Sequence, residues 1–518
     1  MDSRDAIKHI IIVGGGAAGW LSACHLAKRL HADRSGAVKV TLVESSEIPT
    51  IGVGEGTVPA IRQSLRSLGI SESEFVRECD ATFKQSIKFV NWLRPEAEGG
   101  DCYHHVFDYP NITDIDLTPY WLLGAAEQTS YVDAVSVQGR ICDRGLAPKN
   151  ITQAEYEGIT NYAYHLDAAK FSRFLTRHAT ERLGVRHVLA SVQDVELNDS
   201  GEISAIVTDS AGTLSADFFV DCTGFASLLL GRKMAVGFTD KSDVLFVDHA
   251  VAMQVPYAAA DTPIPSHTIA TAQEAGWIWD IGLSARRGTG YVYSTRYTDH
   301  ERAERVLRAY IGSAADKLDS RRIPMRVGYR EKFWHKNCVA IGLSQGFVEP
   351  LEATGLLVYD ATARMLAEQF PACKAAMPEI ARRFNRHVQY GWDRVIDFIK
   401  LHYYLSKRDD SDFWRDNRRP DSAPASLLDN LALWRYQPPS DYDFPSRLDI
   451  FNLSNYLYVL YGMEFFTDME TLAHRFPETA RARQAFAYTE RVFQQVAGGL
   501  PGHRELIERV RQFGFQKV

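Results

Sequence analysis

The chain has 518 residues, a formal net charge of -7, 45% hydrophobic and 24% charged residues, which is more chain than one hydrophobic core holds and predicts two or three lobes. The acidic balance excludes non-specific binding to nucleic acid or to an anionic membrane, and no apolar run approaches the roughly 20 residues of a membrane span. Seven scattered cysteines without a CxxC pair argue for reduced thiols in a cytoplasmic protein and against a structural zinc site.

Residues 10–19 read IIIVGGGAAG. A β-branched run ending in Gly14, Gly16 and Gly19 predicts strand, tight turn and helix. Gly14 allows the turn, Gly16 lets a pyrophosphate reach bare backbone, and Gly19 lets the helix pack on the strand. The free N–H groups at the helix N-terminus then hold the phosphates. A second strand over 38–43 ends at Glu44, an acid suited to ribose hydroxyls. Together these features point to a bound FAD or NAD.

The next segment, 51–59, reads IGVGEGTVP. Its glycines make either a plain turn or a mobile strap that closes over a flavin ring. Thr57 is expected to cap a helix with Ile61, Leu65 and Leu68 as its buried stripe. Residues 81–92, ATFKQSIKFVNW, read as one strand. Thr82, Lys84, Ser86 and Lys88 share one face, and Phe83, Ile87 and Phe89 the other, with Gln85 as the polar exception. The alternation does not choose between Lys84 and Lys88, and two solvent-facing lysines are the plainer alternative. Residues 101–110, DCYHHVFDYP, read as a loop that either lines an aromatic pocket or lies on the surface.

Residues 161–184 predict strand then helix, 185–192 and 195–207 strands with a turn at Asn198-Asp199-Ser200-Gly201, and 216–224 a strand closing in D-x-T-G. The stretch 244–330 is strand-rich, with Trp277, Trp279 and Ile281 on one face. An apolar strand at 337–343 precedes Pro350, which marks a turn. A helix starting near Thr354 and Gly355 presents unpaired N–H groups suited to an anion. Glu352, just before it, is a capping carboxylate or a site acid. From 376 onward the pattern is helical, and Trp392, Trp414 and Trp434 predict a buried cap. The expected organisation is an α/β, Rossmann-like FAD-binding region over 1–375 with an inserted mixed β-sheet, and a mainly helical substrate-covering region over 376–518.

Four motifs, GGGAAGW at 14–20, IGVGEGTVP at 51–59, ATFKQSIKFVNW at 81–92 and FVEPLEATG at 347–355, carry a resemblance to flavin-dependent halogenases of the tryptophan-halogenase family. GWIWDIGL at 276–283 is a fifth, imperfect match. The resemblance implies that reduced FAD (FADH2), O2 and chloride or bromide yield hypohalous acid, which crosses an internal tunnel to a lysine that halogenates an aromatic carbon. Carried over by motif, that lysine is Lys84 and not Lys88, and the acid near the substrate is Glu352. The halide lies against Thr354 and Gly355, and the strap runs through 52–57. The implied cofactor contacts are Gly14, Gly16, Ala17, Ala18, Gly19, Glu44, Gly54, Val192, Leu343 and Leu356. The implied substrate contacts are Ile87, His105, Phe107, Phe451 and Asn455, and no metal is implied. A separate NAD(P)H-dependent flavin reductase supplies the reduced flavin, the substrate is a small aromatic, and the resemblance is compatible with a homodimer.

These roles fit the chemistry. Burial lowers a lysine pKa and favours the amine that forms a haloamine. A carboxylate beside the ring stabilises the cation built by electrophilic substitution and accepts its proton. Three positions depart from the family pattern: Gly282 stands for a proline, Ala353 for a serine, and Phe451 for a substrate-stacking tryptophan. Pro439, Ser440 and Ser446 occupy the places of the tyrosine pair and glutamate that grip free tryptophan. The expected substrate is therefore indole or a substituted indole rather than free tryptophan. The competing reading is an FAD monooxygenase of related fold, against which Gly342-Leu343-Ser344 counts in place of a G-D pair. A non-catalytic flavin-binding protein is the third.

Overall fold

In the computed structural model, which describes residues 6–48, 54–110, 113–446 and 449–516, the β-branched run near the start forms the strand His9–Val13, with Ile10, Ile11 and Ile12 fully buried. It lies inside a six-stranded sheet ordered Trp334–His335, Cys338–Ala340, Phe218–Asp221, His9–Val13, Lys39–Glu44 and Arg186–Leu189. All but the short Trp334–His335 hairpin arm run parallel. A parallel sheet needs cover on both faces, which explains why its central strands His9–Val13 and Phe218–Asp221 are runs of buried, mainly apolar residues rather than alternating. The helix Ala17–Leu30 follows the first strand and packs against the helix Thr354–Glu368. A buried polar pin joins them: His25 Nε2 lies 2.8 Å from Asp360 Oδ1, and Ser64 on the helix Ala60–Leu68 donates to Asp360 Oδ2 at 2.5 Å.

The inserted sheet has seven strands, in the order Arg321–Pro324, His249–Pro256, Arg286–Tyr293, Gly276–Gly282, Thr268–Gln273, Ser86–Val90 and Cys102–Val106. Only the Thr268–Gln273 and Ser86–Val90 pair is parallel. A small three-stranded sheet places Ala163–Leu166 between Glu55–Gly56 and Thr82–Lys84. The C-terminal region is helical, led by Met377–Tyr404 and closed by Thr479–Gly499 and His503–Phe513. Trp392, Trp414 and Trp434 are buried as predicted. One hydrophobic core runs from Ile7 to Phe515 and draws on the parallel sheet, the inserted sheet and these helices alike.

Three local expectations are corrected. Residues 81–92 are not one strand: the chain leaves the small sheet after Lys84, and at Ser86 it enters the large one. The break is at Gln85, whose N–H donates to Ser266 O at 2.8 Å. Within 101–110, Cys102–Val106 is a strand rather than a loop, paired with Ser86–Val90 so that Ile87 stands opposite His105. Thr57 does not cap the helix Ala60–Leu68. Its hydroxyl donates to Tyr164 O at 2.8 Å and accepts the Tyr164 N–H at 2.9 Å, so it joins the small sheet instead. Among the described residues no helix is long and apolar enough to cross a membrane.

Candidate active site

The glycine turn is shaped for a dinucleotide. Gly14 has φ +113, and a Cβ on it would overlap the Cys222 carbonyl; a Cβ on Gly19 would overlap the Gly14 carbonyl. Gly16 is different: a Cβ there would meet nothing within 4 Å, so open space lies before the helix N-terminus. No side chain caps that terminus, which leaves the N–H groups around Ala17 and Ala18 for an anion. Glu44 ends the second strand and pairs with His187 at 2.7 Å. The turn at Gly342–Ser344 sits on the helix start, since a Cβ on Gly342 would stand 2.6 Å from Ala18 Cβ. That brings Leu343 to the cradle. Val192 follows Ser191, whose hydroxyl lies 2.7 Å from that of Ser45, so it borders the end of the second strand. These residues fit an adenine dinucleotide. Of the strap, Gly52 and Val53 lie outside the described residues, and Gly54 has φ +83.

Lys84 and Lys88, indistinguishable by alternation, have opposite fates. Lys88 is partly exposed and pairs with Asp143 at 2.6 Å. Lys84 is 1% exposed. Among the described residues it forms no ion pair, and its ammonium or amine donates once, to Thr57 O at 3.1 Å. Its Nζ lies 5.2 Å from the centre of the Phe107 ring. Burial pulls the amine down to about 8 from an ordinary 10.5, with the Glu352 carboxylate offsetting part of the drop. Gly56 of the strap leaves room beside it: a Cβ there would stand 3.4 Å from Lys84 Nζ and 3.6 Å from Ala353 Cβ. The amine, the strap and the start of the helix Thr354–Glu368 therefore share one neighbourhood.

Glu352 is not a helix cap. It is 1% exposed and held by two histidines, with His105 Nδ1 at 2.9 Å from each carboxylate oxygen and His402 Nε2 at 2.9 Å from Oε1. Asn455 sets the proton on His105. Its Oδ1 accepts the Asn452 N–H, which turns its amide NH2 toward His105 Nε2 at 2.9 Å. His105 thus keeps its hydrogen on Nδ1, aimed at Glu352. His402 Nδ1 faces Phe398 O at 2.8 Å, so both its ring nitrogens point at acceptors. Burial alone would push the Glu352 acid up, but His105 and His402 hydrogen-bonded to it outweigh that and hold the carboxyl at about 2. It is a carboxylate at any working pH.

The helix Thr354–Glu368 begins with Ala353 at φ 56 and has no side-chain cap. Without a side-chain cap, the N–H groups near Thr354 and Gly355 suit an anion. Leu356 lies buried in the first turn. Phe451 stacks on Phe398, centroids 4.0 Å apart, and Phe398 in turn meets the His105 ring at 5.7 Å. The structure thus gathers Lys84, Phe107, Glu352, His105, Ile87, Asn455 and Phe451 from both halves of the chain. Gly282, in place of the family proline, is hemmed in: a Cβ would approach Ile264 Cγ2 to 2.8 Å and the Tyr257 hydroxyl to 3.1 Å, while its carbonyl accepts from Thr82.

Sequence reasoning missed His402, which sits in an apolar helical run, FIKLHYY, where a histidine reads as core. The signal available was its place on a stretch of fully buried helix, where a polar ring needs a partner.

Comparison with known proteins gives one answer. The family model described as tryptophan halogenase matches residues 9–478. The tryptophan 6-halogenase SttH of Streptomyces toxytricini is 39% identical over 86% of this chain and 87% of its own length. The crystal structure of a tryptophan halogenase from Shewanella frigidimarina NCIMB 400 superposes with a TM-score of 0.95 at 44% identity, covering 99% of each chain. Xcc4156, a flavin-dependent halogenase from Xanthomonas campestris, does so at 0.88 with 32% identity and 98% of each chain.

Proposed function

This chain belongs to the tryptophan halogenase family and is a flavin-dependent halogenase, and from that premise we propose that it halogenates an indole-type ring other than free tryptophan, through Lys84 and Glu352. The observation that carries the reading is a buried amine without an ion-pair partner among the described residues, near an aromatic ring and a buried carboxylate. FAD, reduced by a separate reductase, would when bound supply the two electrons that activate O2, and O2 is the oxidant that takes halide to hypohalous acid.

Halide rests against the N–H groups near Thr354 and Gly355. Lys84 in its amine form attacks the halogen of the acid: an N–halogen bond forms, the halogen–oxygen bond breaks, and water leaves. The ring carbon then attacks the halogen, and the bonding pair returns to Nζ, which regains a proton. The cationic ring passes its proton to a carboxylate oxygen of Glu352, which His105 and His402 hold in place. Enclosure keeps oxidised halogen from the protein's own methionines and cysteines.

The lid supports the substrate assignment. Ser440 is tied to Asp443 by its own backbone N–H, the Ser446 N–H donates to Asp449, and Phe451 lies on Phe398. None of these supplies a paired anchor for an amino-acid head group. The test is turnover of indole against L-tryptophan at matched concentration with reductase, FAD, NADH and chloride or bromide. Indole is expected to win; a clear preference for L-tryptophan defeats the proposal.

A further inference from the structure

The strand that carries Lys84 is three residues long and stands at the edge of the small sheet. It pairs on one side only, with Ala163–Leu166, placing Phe83 opposite Tyr164. The Phe83 N–H points off the free edge, and Phe83 is fully buried. A buried N–H without a partner is costly, and among the described residues no further strand takes it.

The partner comes from the far end of the sequence. His503, the first residue of the last helix, accepts the Phe83 N–H on Nε2 at 2.9 Å. Its other nitrogen, Nδ1, donates to Ile264 O at 2.9 Å. That carbonyl fixes the ring hydrogen on Nδ1 and leaves the Nε2 lone pair facing the strand. The ring is 1% exposed, and burial draws its pKa down to about 4, so it remains a neutral acceptor.

The residue after Lys84 is held to the same corner. The Gln85 amide donates to Leu146 O at 2.9 Å, and its carbonyl oxygen accepts from the Thr160 hydroxyl at 2.6 Å. Leu146 bridges to Gly502, the Ala147 N–H donates to Pro501 O at 3.0 Å, and the His503 N–H donates to Gly145 O at 2.9 Å. Both neighbours of Lys84 are therefore anchored to the start of the last helix. This accounts for the glutamine on an otherwise apolar face.

We infer that His503 is a positioning residue for halogen transfer: by accepting the Phe83 N–H it fixes the backbone from which the Lys84 amine projects. The inference rests on the assignment of Lys84 as the halogen carrier. A reaction that passes an atom from Nζ to one ring carbon is sensitive to displacements well under the size of that atom.

Two substitutions separate the two bonds of His503. H503N keeps a donor at the Nδ1 position for Ile264 but cannot reach Phe83. H503Q reaches the Nε2 position with a carbonyl oxygen that accepts. Each is assayed as full chain with reductase, FAD, NADH, bromide and indole, with a soluble 1,3-diketone present to trap escaping hypohalous acid. H503N is expected to lose roughly tenfold or more of its indole product per reduced flavin, with oxidised halogen appearing on the trap instead. H503Q is expected to recover to about a third of wild type or better. Wild-type partitioning in H503N overturns the inference, as does equal loss in both variants.

Lys84→Ala runs alongside. If it still halogenates indole, the assignment of Lys84 falls and the positioning role falls with it; if it is inactive while H503N behaves as wild type, only the positioning role falls. Should H503N not fold, hydrogen exchange of the wild-type protein decides. Slow exchange of the Phe83 amide supports the bond, and exchange at the rate of an open loop overturns it.

Discussion

Trp277 donates its indole N–H to Glu349 Oε2 at 2.6 Å, and the Tyr403 hydroxyl donates to the same oxygen at 2.6 Å. The other oxygen, Oε1, has no hydrogen-bond partner among the described residues, and the side chain is fully buried. Burial therefore pushes this carboxyl up to about 7 from an ordinary 4.5, against the pull of its two donors and of Lys400. A buried acid thus sits three residues before Glu352 on the same loop, with the opposite electrostatics.

That raised acid gives a pH-dependent stability. Between 4.5 and about 7 the folded state holds a proton that the unfolded state releases, so stability falls as pH rises across that window, by about 3 kcal/mol in all. Glu349→Gln imitates the protonated acid. Its melting temperature is expected to gain on that of wild type between pH 5 and pH 8. An offset that stays constant would show that Glu349 does not titrate there.

Lys84 and Lys88 provide the sharpest contrast. Lys84→Ala is expected to abolish halogenation while flavin binding, read by fluorescence quenching, persists. Lys88→Ala removes only a partly exposed pair with Asp143, which contributes little to stability, and is expected to keep about half of wild-type activity or more. Comparable losses in both would remove the distinction drawn from burial.

Whether the proposed role of Lys84 is played by the amine or the ammonium is open to a rate measurement. With the amine at about 8, single-turnover transfer from added hypobromous acid should rise about tenfold per pH unit below 8 and level off above it. Between about 8 and 10.5 the unfolded lysine is still protonated while the folded one is not. The same lowering therefore makes stability climb with pH there. A transfer rate flat from pH 6 to pH 9 would assign the chemistry to the ammonium instead.

Gly56 tests the space between the halide end of the site and the amine. Its methyl substituent would stand in ordinary contact with both Lys84 and Ala353, so Gly56→Ala is expected to fold and to halogenate within about twofold of wild type. Gly56→Leu overfills the same gap and is expected to cut product by roughly tenfold or more at unchanged flavin binding. Full activity in the leucine variant would show that nothing need pass there.

Much of the framework was legible because it rests on local rules. The strand, glycine turn, helix and terminal acid around Gly14–Gly19 follow from backbone sterics and from the anion affinity of a helix start, and both are written in adjacent residues. The helix start at Thr354 and Gly355 was legible in the same way. What alternation could not do was separate Lys84 from Lys88, because the break at Gln85 depends on Ser266, Leu146 and Thr160, none of them nearby in sequence. His402 was invisible for a related reason. Its meaning lies in a carboxylate 50 residues away, and an apolar helical run offers no hint of it. The strand over Cys102–Val106 was read as a loop because histidine and aromatic density hid its pairing with Ser86–Val90.

The bond from Phe83 to His503 spans 420 residues. During synthesis the strand bearing Lys84 therefore leaves the ribosome long before its clasp exists, and so does the glycine turn at Gly14–Gly19. Tying the strand of Lys84 to so late a segment means that its backbone is seated only after the last helix has folded back onto it.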